Sequence, residues 1–156
     1  MDAKSIVLVQ HRISDGKAVF RRGTIVFQNG GSGMDFLIRV GQGFRGYTHV
    51  GVALGDGTMI ASFLPSGGVT LQNDIQQIQA IEGRPYPGDS EKLISNMLSF
   101  KGDGYDLLGL LVAIGGPGFG SGPPKKFTCS SLIAYCANWK MPVRGVTPEQ
   151  IWQQYK

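Results

Sequence analysis

The sequence predicts an α+β domain, on three observations. Residues Tyr47 to Phe63 (YTHVGVALGDGTMIASF) form two alternating, β-rich runs around Asp56-Gly57, the signal of a tight hairpin. Residues 90–100 and 129–139 instead carry apolar side chains at helical spacing. Near the end, Thr147 reads as an N-cap, Pro148 as the first helical residue and Gln150 as the closure of a capping box. Strands placed early and helices placed late suit a small antiparallel sheet or partial barrel packed against helices.

At 156 residues the chain is expected to be one domain, 1–156, long enough to bury a sizeable core. Charged residues make up 17% and hydrophobic ones 42%, which argues against disorder. The 24 glycines suit many short elements joined by tight turns. A net charge of +4 favours acidic surfaces such as cell-wall polymer, anionic lipid or nucleic acid and selects none of them. The basic residues are scattered without interleaved aromatics, so nucleic acid is not expected as a partner.

Ile6 to Val9 is too short for the apolar core of a signal peptide, and Leu107 to Ile114 is under half of the ~20 residues that cross a bilayer. The expectation is a chain made in the cytoplasm without a classical signal peptide or transmembrane segment. Delivery to the periplasm or wall would need another route.

Taken in order, Ser5 to Gln10 and Gly23 to Gln28 read as strands, with Ser14-Asp15-Gly16 as a turn between them. Met34 to Val40 suits a short helix ended by Gly41 and Gly43. The hairpin follows, then a turn at Pro65 to Gly67 and a strand at Gly68 to Gln72. Asn73 or Asp74 can cap a brief helix over Ile75 to Ala80, and the two prolines of Gly83 to Gly88 mark a loop. Ser90 to Phe100 and the more apolar Tyr105 to Ile114 read as helices. Gly115 to Pro124 (GGPGFGSGPP) lacks the Gly-Lys-Ser/Thr of a phosphate loop and is expected to be a connector. Cys129 to Trp139 is the strongest helix.

The chemistry centres on Cys129 and His49. Cys129 falls at the first turn of its helix, after Lys125 and Lys126, where the helix dipole and the cations favour thiolate below the free value of about 8.5. The unpaired amides of that turn, including its own, suit an oxyanion. A lone histidine is ordinarily a hydrogen-bonded surface residue, but of His11 and His49 the latter stands at the open end of a hairpin and is the better base. Cys136 lies two turns on, about 10 Å along the axis, so the cysteines cannot bridge and Cys136 reads as packing. Two His and two Cys without a Cys-x-x-Cys pair make a poor metal site, and no cofactor is expected.

The order GTIVF, a short helix, YTHVGVALGDG, the GYDLLG segment and FTCSSLIAYC resembles the circularly permuted papain-like cysteine peptidases of the NlpC type. YiiX-like proteins look closest there, and lecithin:retinol acyltransferase is more distantly similar. The resemblance runs from about Arg22 to the VTPEQIW ending, and its specific part lies around His49 and Cys129. It implies a permuted papain-like fold in which the histidine strand precedes the cysteine helix. Carried over by position, Cys129 is the nucleophile and His49 the base, with Tyr47 and Tyr105 lining the site. The usual place of a third polar residue that orients the base falls on Ala61, whose side chain can do neither. Ser62 and Gln72 are the two candidates to replace it; otherwise the protein runs on a Cys-His dyad.

The resemblance thus implies a thiol hydrolase, a cysteine amidase or endopeptidase, acting on an amide in peptidoglycan stem peptides, as in a bacterial or phage hydrolase. An inhibitor or immunity protein is a partner such a toxin would need. Two alternatives stand beside it: a lipid or thioester acyl hydrolase or acyltransferase, which an apolar groove beside Leu107 to Ile114 would favour, and a non-catalytic binding or structural module, favoured by Ala61.

Overall fold

A computed structural model describes residues 10–12, 18–29, 47–73, 80–107, 126–139 and 146–155. Two short strands, β1 (Gln10–Arg12) and β2 (Ala18–Phe20), pair antiparallel as a ribbon of their own. The turn expected at Ser14 to Gly16 therefore falls between these two, and it lies outside the described residues, as do the helices expected over Met34 to Val40 and most of Ile75 to Ala80.

The main sheet holds seven strands: β3 (Thr24–Asn29), β4 (His49–Ala53), β5 (Thr58–Phe63), β6 (Gly68–Asn73), β7 (Ala80–Pro85), β8 (Gly104–Tyr105) and β9 (Lys126–Phe127). Their order is β7-β3-β4-β5-β6-β8-β9, antiparallel throughout except for the parallel pair β8–β9. Three helices, α1 (Ser90–Ser99), α2 (Cys129–Cys136) and α3 (Pro148–Gln153), complete the described elements with a single 3-10 turn at Leu64–Ser66. The fold is α+β: a mixed, open sheet packed against a few short helices.

Two expectations change here. Gly83 to Pro85, expected in a loop, belongs to β7, which pairs with β3 from Thr24↔Pro85 to Asn29↔Ala80. Proline is tolerated because β7 is an edge strand and Pro85 its last residue. Tyr105, expected to open a helix, ends β8 instead: its amide donates to the Gly67 carbonyl at 2.9 Å, so the sheet edge claims it before any helix can start. Beyond Leu107 that expected helix, like the glycine-rich connector, lies outside the described residues.

Alternation along the strands divides the core between two faces. Ile25, Phe27, Val50, Val52, Ile60 and Val69 face the helices and pack with Leu93, Met97, Leu132 and Ile151. Each such fully buried side chain is worth roughly 1.5–3 kcal/mol, so among the described residues this face holds most of the apolar stabilisation. Phe20, Val26, Ala53 and Met59 form a second cluster on the other face. Arg22 binds Glu91 through both carboxylate oxygens, at 2.7 and 2.9 Å, and tethers the turn before β3 to the start of α1.

Candidate functional site

Thr128 caps α2, its hydroxyl accepting from the Ser131 amide while the Ser131 hydroxyl accepts from the Thr128 amide. A serine in place of the usual Glu or Gln completes this capping box, and the sequence pattern did not disclose it. Cys129 is therefore the first helical residue, and it is only 4% exposed. Cys136 is buried too, and both cysteines are free thiols.

The thiol of Cys129 sits against β4. Leu54 donates to the Thr58 carbonyl at 2.9 Å and Val52 pairs with Ile60, so alternate amides of β4, Val50's among them, point toward β5. The β4–β5 ladder, however, holds only Val52↔Ile60 and Ala53↔Met59. Past that point the Val50 amide turns to the Cys129 sulfur. The sulfur thus meets β4 at the residue that follows His49.

Burial nevertheless dominates the thiol's chemistry. Loss of solvent pushes the Cys129 pKa up to about 11, against smaller lowering effects from the amides of Val50, Ser130 and Cys129 and the Ser130 hydroxyl. This corrects the expectation of a depressed value. A helix N-terminus favours thiolate by a few tenths to 1 kcal/mol at an exposed site, which does not offset the desolvation of a charge in a dry one.

His49, first residue of β4, lies by alternation on the side of Gly51 and Ala53, opposite Val50 and Val52. Its ring contacts Phe63 at 5.4 Å, and its Nε2 is 2.6 Å from the side-chain amide of Gln72. Gln72 pairs with Met59, and Met59 with Ala53, four residues from His49 along β4. On a flat sheet that offset alone is about 13 Å, so the contact requires the sheet to coil with this face concave. The Gln28 amide reaches the Met59 sulfur, 3.9 Å away, along the same diagonal.

Of the two candidates for the third polar residue, Gln72 is therefore the one that touches His49. Ser62 points to the helix face, where its buried hydroxyl donates to the Phe127 carbonyl and ties β5 to β9 just before Cys129. Ala61 is fully buried and pairs with Thr70. Tyr47 turns to the helix side: its ring packs on Phe27 and Trp152, and its hydroxyl donates to Glu82. Burial and that bond push its pKa well up. Tyr105 is half-buried, its backbone joined to Gly67 and paired with Phe127.

One cluster was not legible in sequence. The buried Glu82 carboxylate accepts from Tyr47, from Arg84 and, at 3.2 Å, from the Trp152 indole, while the Arg84 guanidinium lies 5.9 Å from the Trp152 ring. Glu82 thereby clamps α3 to β7 and to the residue two before His49. Among the described residues no group of three His, Cys, Asp or Glu converges as a metal site, and no helix is long and apolar enough to cross a membrane. Set against known proteins, the chain matches no family model and no curated protein.

Proposed function

We propose that the protein is a cysteine hydrolase of permuted papain-like order, cleaving an amide bond in peptidoglycan stem peptides. The observation that carries this reading is made at one end of β4: the Cys129 sulfur, at the start of α2, meets the amide of Val50, the residue that follows His49, and the His49 ring is held by Gln72 on the other face of that strand.

The resting thiol is neutral at pH 7, so His49 acts as general base during attack rather than as half of a standing ion pair. Gln72 bears on that role. Its Oε1 is buried without a partner, while its Nε2 is the atom turned to His49. The two ends of an amide are assigned from their bonding, and turning Oε1 to the ring lets it accept from the Nε2–H. Nδ1 is then the basic nitrogen. The two groups start on opposite faces of β4, so the step requires the His49 ring to reach the thiol around the open end of that strand: as the Cys129 sulfur bonds to the substrate carbonyl carbon, Nδ1 takes the thiol proton and returns it to the leaving amine as the C–N bond breaks. Water then attacks the thioester, releasing a carboxylic acid and restoring the thiol. The Cys129 amide at the helix start is the donor for the transient oxyanion.

The non-catalytic module is the second reading, favoured by the burial that raises the thiol's pKa to about 11. Mass spectrometry of purified peptidoglycan fragments after incubation separates the two. The hydrolase reading expects new fragments differing by one water, absent with Cys129→Ala and with His49→Ala. Unchanged fragments, or the same cleavage by Cys129→Ala, would overturn it. Release of fatty acid from phospholipid with peptidoglycan intact would point to the acyl hydrolase instead.

A further inference from the structure

An open groove of about 390 Å³ lies at the turn between β5 and β6 and the loop that follows α1. Ser66, Gly67 and Thr70 line one side, and Lys101, Gly102 and Asp103 the other. Gly67 (φ 81°) and Gly102 (φ 98°) both hold the left-handed conformation, and a Cβ on either would meet nothing within 4 Å. The walls are therefore bare backbone at two points, where a ligand's own main chain has room to approach.

The groove neighbours the His49–Gln72 contact along β6. Thr70 and Gln72 share one face of β6; the first lines the groove and the second contacts His49. Phe63, which touches the His49 ring, pairs with Gly68 in the groove wall. Lys101 and Asp103 stand two residues apart on the opposite wall, and among the described residues neither side chain is in an ion pair or a side-chain hydrogen bond. Opposite charges kept separate at the rim of a glycine-walled groove match a ligand that carries both charges itself.

We infer that this groove binds a short zwitterionic peptide, its C-terminal carboxylate at Lys101 and its N-terminal ammonium at Asp103. Its service as a substrate subsite rests on the hydrolase reading; the binding does not. The test is therefore made on ¹⁵N-labelled Cys129→Ala protein, titrated with L-alanyl-L-alanine, with its N-acetyl derivative and with its C-terminal amide. The amide signals of Gly67 and Gly102 are expected to shift with the free dipeptide. Either blocking group weakens binding by about fivefold, the upper end for one exposed ion pair. Lys101→Ala removes the discrimination against the amide, and Asp103→Asn that against the acetyl group. Equal shifts with all three peptides, shifts only outside the groove, or none would overturn the inference, whatever the peptidoglycan digestion shows.

Discussion

The His49 ring nitrogen and the Gln72 side-chain amide meet 2.6 Å apart across β5, the strand that separates their own. The contact is made on the concave face of a coiled sheet, and it places a buried amide where it selects which imidazole nitrogen carries the proton. Gln72→Leu keeps the bulk and removes that selection. The expected result is a fall in kcat of about 10²-fold with KM little changed, within the range of general acid–base groups. Combined with His49→Ala, the same change is expected to cost nothing more. Steady-state kinetics on a cleaved fragment checks both, and additive losses would mean that Gln72 acts elsewhere.

The buried thiol of Cys129 links stability to alkaline pH. Its pKa rises from 9.0 to about 11 in the folded chain, so between those values the folded state holds a proton that the unfolded state has released. Stability is thus full below about pH 9 and is lost as pH climbs toward 11, by about 2–3 kcal/mol in total. Denaturant unfolding at pH 8 and pH 10.5, compared with Cys129→Ala, measures it. Both proteins should carry Cys136→Ala, because the Cys136 thiol, pushed up to about 12 by burial, adds a loss of the same sign. A difference between the two proteins that ignores pH would contradict the assignment.

Glu82→Ala is expected to destabilise the protein by about 3–5 kcal/mol, because it strands the Tyr47 hydroxyl, the Trp152 indole and the Arg84 guanidinium together. Glu82→Gln keeps the shape and should cost less. In a Trp139→Phe background Trp152 reports the event: its fluorescence should shift as α3 loosens, ahead of global unfolding. Coincident transitions in both variants would show that α3 does not depend on this clamp.

Two adjacent glycines should respond very differently to alanine. At Gly68 a Cβ would sit 1.9 Å from the Asp103 carbonyl oxygen, so the edge of the sheet must open to admit it. At Gly67 there is space, and the cost reduces to the left-handed backbone, about 1–2 kcal/mol. Thermal melts should show Gly67→Ala folded with a modest drop in Tm and Gly68→Ala far below it. Similar drops would mean that the β6–β8 junction is softer than its contacts imply.

Much of the frame was legible because it is written in local preferences. Alternation around Asp56-Gly57 predicts β4 and β5, and periodic apolar residues predict α1 and α2. The Thr147-Pro148-Gln150 signal predicts the start of α3 to the residue. Such patterns work because 3.6-residue and two-residue repeats act over a few neighbours, before any distant contact forms. Proline misled at Pro85 because its cost depends on whether a strand lies at a sheet edge, which no neighbour in sequence reveals.

The site divides along the same line. The sequence by itself determined that Cys129 stands in the first turn of a helix and that His49 stands at the open end of a hairpin, since apolar periodicity and alternation are local. Only the tertiary structure decided what surrounds them. Coiling of the sheet, a property of four strands together, brings Gln72 to His49 and leaves Ser62 on the other face. The packing of α2 on β4 buries Cys129, so that desolvation, which sums over everything nearby, outweighs the helix dipole and reverses the pKa expected from its place in the chain.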